Sequence, residues 1–410
     1  MWRYADVEQQ EGAPPRESLA AVAALVAAPA DRGWFLRAVL YPFALTRAAL
    51  LLVAWFGTQF APSWTYFDPV GATRGWSHVP ALALDVWGRY DTYWYLNVAM
   101  NGYLPPADLV RTQSNLAFFP LYPALIRAVH GLLPWAWQGV AASFAVAVAL
   151  ANVLAVAALA AFYLLVRDVW RDPRLARRAV VYLLAFPAGF FLSCAYSESL
   201  YLALSAGAFL LAWRGRWWWS GALALLLGLT RPSGVLLAPA LAGLYVSRRG
   251  MHLGRLRPDA LALLAAPAGL LLHAAHLARL TGDPLALFHA QAAWGRALAA
   301  PWTTLLDPLA YHAKMGPFEH AGALLFLALG AALLLERRFA LGAFALLSLA
   351  PVLLSGTLMS ATRFLAVVFP AFAALARFGE REWVDRTVLV LFATGQALLF
   401  LAWSRFYWVS

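Results

Sequence analysis

A lone carboxylate among aromatic side chains marks the stretch whose residue types are best suited to chemistry. The stretch reads Trp87-Gly88-Arg89-Tyr90-Asp91-Thr92-Tyr93-Trp94-Tyr95-Leu96-Asn97-Val98-Ala99-Met100-Asn101-Gly102-Tyr103. Helical spacing puts Trp87, Asp91 and Tyr95 on one face, with Trp94 beside them, and Gly102 is expected to end the helix. A carboxylate in this setting suits a general base that accepts a proton from a hydroxyl. The alternative is an aromatic helix at a membrane surface whose Asp91 faces water.

Three further ionisable residues lie beside or inside apolar runs, where charge is costly and usually functional. They are Glu198 in Tyr196-Ser197-Glu198-Ser199, Arg231 in Thr230-Arg231-Pro232-Ser233-Gly234, and Arg363 in Ser360-Ala361-Thr362-Arg363-Phe364. Glu198 either contacts a substrate or is a loop carboxylate in the headgroup region. Arg231 either holds a lipid phosphate or satisfies the backbone carbonyls freed by the helix break. Arg363 either binds phosphate or extends its charged end to the membrane surface.

Two polar and aromatic segments supply further candidates. Asn115 precedes Leu116-Ala117-Phe118-Phe119-Pro120-Leu121-Tyr122-Pro123, a pattern that favours aromatic anchoring of a helix start, with Asn115 as a candidate ligand contact. Farther along the chain, Asp283 is expected to cap a helix that has proline at its first position. On that helix, Gln291 and Arg296 are the better candidates for contact with a ligand.

The composition indicates which class of protein must position these residues. Hydrophobic residues make up 63% of the 410 residues and charged residues 12%, against roughly 45–50% and about 25% in soluble proteins. The 31 basic and 20 acidic side chains are too few to cover the surface of a soluble domain of this size. A soluble enzyme, a disordered protein and a nucleic-acid binder of the usual kind are therefore excluded, and a polytopic membrane protein is indicated.

The net charge of +11 reflects arginines in loops rather than affinity for nucleic acid. Lys314 is the only lysine, and most arginines lie in short turns between apolar runs, as expected of cytoplasmic loops. The single cysteine, Cys194, excludes disulfides and cysteine-based metal clusters. The histidines do not group with acidic residues, so the sequence indicates no metal site.

Eleven apolar runs approach the length of about 20 residues that a membrane-spanning helix needs. They lie near 38–58, 116–133, 139–166, 179–195, 198–213, 220–246, 259–280, 319–335, 339–358, 363–378 and 387–404. Residues 1–35 are expected to form a cytoplasmic tail, and residues 36–410 the transmembrane domain. Two polar insertions, 61–115 and 281–318, are separated by six predicted spans. Both are therefore expected on the extracytoplasmic face.

One loop conflicts with this orientation. The segment Arg167–Arg178 carries five arginines, yet the count of spans places it outside, against the positive-inside rule. Either one apolar run is re-entrant or broken, or this loop departs from the rule. Breaks are expected at Tyr196–Glu198 and Thr230–Gly234, because both put polar residues into apolar stretches.

Taken together, these motifs resemble the GPI mannosyltransferase II family (PIG-V type) and its bacterial relatives, within the GT-C glycosyltransferases. The resemblance covers about residues 38 to 380 and depends on the order and spacing of several short motifs. These are Arg89-Tyr90-Asp91 with Tyr95 and Gly102-Tyr103, Phe118-Phe119-Pro120-Leu121-Tyr122-Pro123, Tyr196-Ser197-Glu198-Ser199, Arg231-Pro232-Ser233-Gly234, Gly282-Asp283-Pro284 with Trp294-Gly295-Arg296, and Arg363-Phe364.

The resemblance implies an all-α GT-C fold with about 11 transmembrane helices and a helical first extracytoplasmic loop. It implies a polyprenyl-phosphate-mannose donor, an extracytoplasmic glycolipid, glycan or protein acceptor, and inversion of the anomeric centre. Asp91 matches the essential aspartate of the first outside loop and is expected to act as general base. The donor brings its own activated bond, so no nucleotide is needed and a divalent metal is optional.

The remaining site residues are expectations of the same kind. Glu198 would orient the acceptor or the base, and Arg89, Arg231, Arg296 and Arg363 would bind the donor phosphate. The residues expected to contact sugar or acceptor are Trp94, Tyr95, Asn115, Tyr196, Gln291 and Trp294. The eukaryotic family often has Arg-Ser-Asn-Gly where this chain has Arg231-Pro232-Ser233-Gly234, which leaves the acceptor contacts open.

Two other classes of protein fit part of the sequence. A flippase or transporter of a lipid-linked sugar would share the apolar helices and the interfacial arginines, but transporters usually show internal repeats and midplane polar residues. A non-catalytic subunit of a membrane transferase would have little use for Asp91 and Glu198.

Overall fold

A computed structural model describes residues 33–60, 82–134, 139–250, 256–306 and 316–409. All regular elements in these residues are helical, which confirms the predicted all-α class. The α-helices are α1 (Tyr41–Gly57), α2 (Leu82–Asp85), α3 (Thr92–Asn101), α4 (Leu121–His130), α5 (Val140–Trp170), α6 (Pro173–Ala185), α7 (Glu198–Trp213), α8 (Trp217–Gly228), α9 (Leu237–Arg249), α10 (Ala265–Thr281), α11 (Ala286–Ala292), α12 (Pro301–Leu306), α13 (Gly316–Leu335), α14 (Phe339–Leu353), α15 (Ala361–Leu365), α16 (Phe369–Phe378) and α17 (Glu382–Ser404).

Several of these helices are suited to cross a membrane. Five helical segments of the described residues are long and apolar enough: Leu36–Gly57, Val140–Trp170, Pro258–Thr281, Gly316–Leu335 and Glu382–Ser404. Four shorter helices, α7, α8, α14 and α16, are also apolar. The chain is a multi-pass membrane protein, but the predicted set of eleven full-length spans is not confirmed.

One predicted span, 116–133, is not a membrane crossing. Its helix, α4, covers only Leu121–His130, and a helix of ten residues is about 15 Å long. Tyr122 and Ile126 are buried on one side, while Arg127 is exposed on the other. The run is apolar in composition but amphipathic in arrangement, so α4 packs along α3 and α5 instead of spanning.

The two predicted breaks are present. After α6 the chain forms a 3₁₀ turn, Gly189–Leu192, and becomes α-helical again only at Glu198. The run 220–246 is divided into α8 and α9 by Thr230 and Arg231 and a 3₁₀ turn, Pro232–Leu236. A side chain on Gly234 would lie 2.5 Å from the backbone oxygen of Leu227, so only glycine allows this turn to pack on α8.

A buried arginine of the first span holds the earlier break in place. Arg47 donates through Nη2 to the backbone oxygen of Gly189 at 3.0 Å and through Nε to Ser193 Oγ at 2.7 Å. Ser193 in turn donates to Asn152 Oδ1 of α5 at 2.8 Å. Backbone that leaves the helical pattern inside a membrane needs such internal partners.

The arginine-rich turns meet at one end of the helix bundle. The ion pair Arg214–Asp168, at 2.8 Å, joins the end of α7 to the end of α5. The pair Arg178–Asp385, at 3.4 Å, joins α6 to the start of α17. Further contacts at this end are Arg338 over the ring of Trp170, Arg248 over the ring of Trp213, Arg249 with Asp259, and Arg377 with Glu336.

This arrangement resolves the conflict over Arg167–Arg178. Because 116–133 does not cross, α5 brings this loop to the same end as the other arginine-rich turns. The start of α1 lies near this end too, since Trp34 stacks on Tyr163 of α5 at 4.8 Å between ring centroids.

The segment with Asp91 lies at the opposite end. Helix α17 starts at the arginine end and finishes at Ser404, about 34 Å away at 1.5 Å per residue. There Trp403 donates through Nε1 to the backbone oxygen of Val86 at 2.8 Å, and Tyr90 donates to that of Phe406 at 2.7 Å. The charges of the turns and the candidate catalytic residues are therefore on opposite sides of the bundle.

Small side chains let the central helices approach closely. Helix α5 packs against α7, and four of its alanines are completely buried. These are Ala147, Ala151, Ala155 and Ala158. Lipid provides no hydrophobic driving force between helices, so close packing of small residues is what holds such a bundle together.

Candidate active site

Four charged side chains from four parts of the sequence form a buried chain of ion pairs. Arg363 Nη1 lies 2.6 Å from Asp91 Oδ2, and Arg363 Nε lies 3.3 Å from Glu198 Oε1. Arg231 pairs with the same Glu198 oxygen. We call Asp91, Arg363, Glu198 and Arg231 the ion-pair chain. It links the loop before α3 to α15, α7 and the break between α8 and α9.

The backbone around Asp91 differs from the prediction of one continuous helix. Tyr90 has a positive φ of 48°, which interrupts the helix, so α3 begins only at Thr92. Asp91 donates its backbone N–H to the hydroxyl of Tyr196 at 3.1 Å. Trp87 therefore does not share a helix face with Asp91 and Tyr95, and it packs on Phe400 instead. Gly102 ends α3 as predicted.

Asp91 does not face bulk water, contrary to the alternative interpretation. The residue is 8% exposed, and Arg363 holds one of its carboxylate oxygens. Within the described residues, no group donates a hydrogen bond to the other oxygen, Oδ1, and Asp91 lines a cavity. Asp91 is thus fixed by one oxygen and offers the second to a ligand.

Glu198 is fully buried in the first turn of α7. Both of its cationic partners belong to the ion-pair chain, and the positive end of the helix dipole also favours a carboxylate there. The preceding residue, Ser197, connects Tyr95 to Arg231. Its hydroxyl lies 2.8 Å from Tyr95 Oη and accepts a hydrogen bond from Arg231 Nε at 3.0 Å. Glu198 is therefore a structural centre of the site and not a headgroup carboxylate.

Arg231 points to the site and not to the carbonyls freed by the helix break. Its described polar partners are the side chains of Glu198 and Ser197. Its guanidinium also lies over the rings of Tyr201 and Phe364, at 5.8 and 5.5 Å from the centroids. A planar guanidinium suits this combination of ion pair and ring contact.

A cavity of about 160 Å³ opens beside the ion-pair chain. Its polar lining includes Asp91, Tyr95, Arg231, Gln291, Arg296, Ser348, Ser355 and Arg363, and its apolar lining includes Phe118, Trp294, Pro351, Val352, Phe364, Val367 and Val368. Such a cavity can hold a ligand with a charged head and an apolar chain.

Arg296 is a cation without a carboxylate partner in the described part of the chain. Its Nη1 donates to Gln291 Oε1 at 3.3 Å, and its guanidinium lies over Phe364 at 5.4 Å from the centroid. Burial, together with the charges of Arg363 and Arg231, lowers the pKa of Arg296 to about 10. A bound anion would relieve both penalties.

Aromatic rings form the wall next to Asp91. Phe118 and Trp294 line the cavity, and Trp94 lies behind them, stacked on Phe118 at 5.9 Å and edge-on to Trp294 at 5.7 Å. The indole nitrogen of Trp294 is buried and has no acceptor among the described residues. The wall thus offers apolar ring faces to a ligand.

Residues 81–273 match a family model described as Mannosyltransferase (PIG-V). The match contains Asp91, Glu198 and Arg231 and covers just under half of the chain. Residues 81–273 are thus similar to this mannosyltransferase family. The resemblance inferred from the motifs is confirmed, and the match supports the prediction of a membrane glycosyltransferase. Arg296 and Arg363 lie outside the matched range.

The fold was also compared with solved structures. The oligosaccharyltransferase of Archaeoglobus fulgidus in complex with Zn and sulfate is 16% identical, with a TM-score of 0.43, and the match covers 88% of this chain and 53% of that one. The archaeal oligosaccharyltransferase AglB of the same organism, in complex with an inhibitory peptide and a dolichol-phosphate, is 18% identical, with a TM-score of 0.40 and coverages of 88% and 56%. The chain spans about half the length of these structures. No curated protein matched the chain.

Not all of the residues predicted from the sequence reach the cavity. Arg89 is buried outside it, paired with Asp85 at 2.9 Å and covered by the ring of Phe406. Asn115 is also used structurally: it accepts from Leu104 N at 3.0 Å and donates to the oxygens of Asn97 and Gly102. Tyr196 lies behind Asp91 and supports its backbone.

The region of Asp283 differs in detail from the prediction. Helix α11 begins at Ala286 and not at the proline after Asp283. Asp283 instead accepts from Leu285 N at 2.9 Å and pairs with His289 at 2.6 Å. This hydrogen bond with His289 lowers the pKa of Asp283. Gln291 does line the cavity, and it donates to the backbone oxygen of Ala117 at 3.3 Å.

Several cavity residues were not identified from the sequence. Tyr201 lines the cavity from α7, and Ser348 and Pro351 line it from α14. Ser197, just before α7, contributes to the site through its hydrogen bond from Arg231. Pro351 inside an apolar helix was a usable signal, because proline in a membrane helix frees a backbone carbonyl that protein or water must satisfy.

Proposed function

We propose that this chain is a membrane glycosyltransferase that transfers a mannosyl residue from a polyprenyl-phosphate-mannose donor to a hydroxyl of a glycolipid, glycan or protein acceptor. One observation carries the proposal. Asp91 is anchored to Arg363 by one oxygen and lines a cavity that also contains Arg296, a cation without a carboxylate partner among the described residues. The same cavity thus joins a proton acceptor to a site for a leaving anion.

The proposed step is a direct displacement. The acceptor hydroxyl oxygen attacks the anomeric carbon, its proton passes to Asp91, and the bond between that carbon and the phosphate oxygen breaks. The electron pair of this bond leaves with the polyprenyl phosphate. Attack from the side opposite the leaving group inverts the anomeric centre, and a positioned carboxylate base is worth about 10²–10⁴-fold in rate.

The charges of the cavity support a donor with a single phosphate. The ion-pair chain contains two carboxylates and two guanidiniums and is formally neutral, and Arg296 adds one positive charge. A phosphodiester-linked sugar carries one negative charge and gains a second as the bond breaks. Arg296 would bind it first, and Arg231 and Arg363 would meet the developing charge from a site already arranged for it. Arg89 is not part of this proposed phosphate site.

The apolar part of the cavity suits the prenyl chain. Its lining includes Val352 of α14 and, from the turn before α16, Val367 and Val368. Both α14 and α16 are apolar helices of the bundle. The aromatic wall of Phe118 and Trp294 suits the apolar face of a sugar ring. The partners we propose are therefore the lipid-linked donor, a hydroxyl acceptor and membrane lipids, and not nucleic acid.

The active site is proposed to face the extracytoplasmic side. Loops rich in arginine are retained in the cytoplasm, and those of the described residues lie at the end opposite Asp91. We expect a membrane-impermeant maleimide to label Asp108→Cys and not Arg174→Cys in intact cells, since both positions are exposed. The native Cys194 is buried and serves as the unlabelled background. Labelling of Arg174→Cys alone would reverse the orientation.

Removing the charge of Arg296 should weaken donor binding. We expect Arg296→Gln to raise the donor KM about tenfold, because it removes one hydrogen bond between charged groups, with the protein folded as before. Steady-state kinetics with the purified protein measures this. Arg111→Gln is the matched control, because Arg111 is exposed and pairs only with Asp108 among the described residues. An unchanged donor KM in Arg296→Gln would remove Arg296 from the phosphate site.

The most direct test mixes the purified protein with synthetic polyprenyl-phosphate mannose and candidate acceptors. We expect polyprenyl phosphate and a mannosylated product whose anomeric configuration, read by NMR, is inverted relative to the donor. Movement of intact donor across a vesicle without cleavage would instead indicate a flippase. Retained configuration would exclude the direct displacement.

A further inference from the structure

A further buried carboxylate, Glu319, lies near the site without lining the cavity. Glu319 is on α13, one of the helices apolar enough to span a membrane, and it is 2% exposed. A carboxylate in such a helix is expensive and is retained only with suitable partners. Its Oε1 accepts a hydrogen bond from the backbone N–H of Ser360 at 2.8 Å.

The backbone at Ser360 needs this support. Ser360 has a φ of 68° and a ψ of 13°, a left-handed conformation that costs a residue with a side chain of the order of 1 kcal/mol or more. It immediately precedes α15, and its own side chain makes no capping hydrogen bond. Glu319 therefore supplies, from another helix, the acceptor that this strained position lacks.

The segment that follows Ser360 carries Arg363, the cation that pairs with both carboxylates of the ion-pair chain. Arg363 lies three residues after Ser360 and must reach Asp91 and Glu198 at once, at 2.6 and 3.3 Å. Met359, on the other side of Ser360, also lines the cavity. A change in the backbone at Ser360 would therefore move Arg363 relative to both carboxylates.

We propose that Glu319 is a positioning residue that fixes the Ser360 turn and so holds Arg363 against Asp91 and Glu198. The inference builds on the proposed transferase function, since its kinetic consequence is read as transfer of the sugar. A displacement of about 1 Å in a catalytic constellation can cost about 100-fold in rate, so a small shift of the turn is sufficient.

Two variants separate positioning from mere stability. Glu319→Leu removes the acceptor but leaves a residue that a membrane helix favours, so insertion and folding are expected. Glu319→Gln keeps an oxygen that accepts from Ser360 and loses the charge. We expect kcat of Glu319→Leu to fall about 100-fold, with the donor KM nearly unchanged. We expect kcat of Glu319→Gln to stay within about fivefold of wild type, because the hydrogen bond from Ser360 is weakened but not lost.

A double variant tests whether Glu319 acts through Arg363. Glu319→Leu combined with Arg363→Ala should be no slower than Arg363→Ala alone, because the residue that is positioned has already been removed. Glu336→Gln is the matched control, since Glu336 follows the same helix at its far end and pairs with Arg377. It should leave kcat unchanged.

A structural readout keeps the inference separate from the proposed function. Hydrogen exchange of the backbone around 357–363 should be faster in Glu319→Leu and unchanged in Glu319→Gln, whatever reaction the protein catalyses. Wild-type kcat and wild-type exchange in folded Glu319→Leu would overturn the inference, as would Glu319→Gln being as slow as Glu319→Leu. If exchange responds as expected while wild-type protein transfers no mannose, the positioning stands and the proposed function fails.

Discussion

Replacing Asp91 with asparagine is expected to lower the rate of mannosyl transfer about 1,000-fold, the middle of the range for loss of a general base. Asparagine keeps the shape of the side chain and still accepts a hydrogen bond from Arg363, but it cannot take the proton of the acceptor. Arg363 retains its second carboxylate partner, Glu198, so the fold should persist. The measurement is kcat with polyprenyl-phosphate mannose, and donor binding should change far less than kcat.

The control for this prediction is Asp108→Asn. Asp108 belongs to the same insertion, but it is exposed and accepts only from nearby backbone N–H groups in the described structure, apart from a weak pair with Arg111. It should transfer mannose at the wild-type rate. Transfer by correctly inserted Asp91→Asn at the wild-type rate would show that Asp91 is not the base and that the proton leaves by another route.

Replacing Arg363 with alanine is expected to have the largest effect on stability. The change leaves Asp91 buried without its cation and leaves Glu198 with Arg231 alone. Breaking a buried ion pair by removing one partner costs about 3–5 kcal/mol, so unfolding in detergent should occur at a much lower temperature or denaturant concentration. Transfer should also be much slower, though still measurable, in the folded fraction, since the base is no longer held.

Arg386→Ala is the matched control for Arg363→Ala. Arg386 also pairs with a carboxylate, Glu382, but its side chain is 75% exposed. Exposed pairs contribute little to stability, so the free energy of unfolding should hardly change. Equal destabilisation by both variants would contradict the view that burial makes the ion-pair chain essential. A combined Arg363→Ala and Asp91→Ala variant should recover part of the lost stability, because no isolated charge remains at that position.

The amino-acid sequence alone was sufficient to predict the class of protein and to single out the four residues of the ion-pair chain. The scarcity of charge required a membrane protein, and the cost of charge in apolar surroundings singled out Asp91, Glu198, Arg231 and Arg363, which the structure brings together. The two helix breaks were predictable for the same reason. Polar residues, proline and glycine inside apolar runs leave backbone groups that only an interrupted helix can accommodate.

Composition was a weaker guide to which apolar runs cross the membrane. The run 116–133 has the length and apolarity of a span, yet its residues alternate between buried Tyr122 and exposed Arg127 around a ten-residue helix. Hydropathy counts residues and ignores the face on which they lie. For this reason the sequence left the position of Arg167–Arg178 open, and the packed helices place this loop at the same end as the other arginine-rich turns.

Only the tertiary structure decided how the charges are paired. The ion pair of Asp91 and Arg363 joins residues 272 positions apart, and no local rule predicts it, whereas Arg89 pairs with Asp85 only four residues away. Likewise, only the packing showed that Arg296 lacks a carboxylate partner among the described residues and that Glu319 supports Ser360. The free-energy cost of burying a charge can be judged from the sequence, because it depends on how apolar the neighbouring residues are. The partner that offsets this cost is fixed only when distant helices pack together.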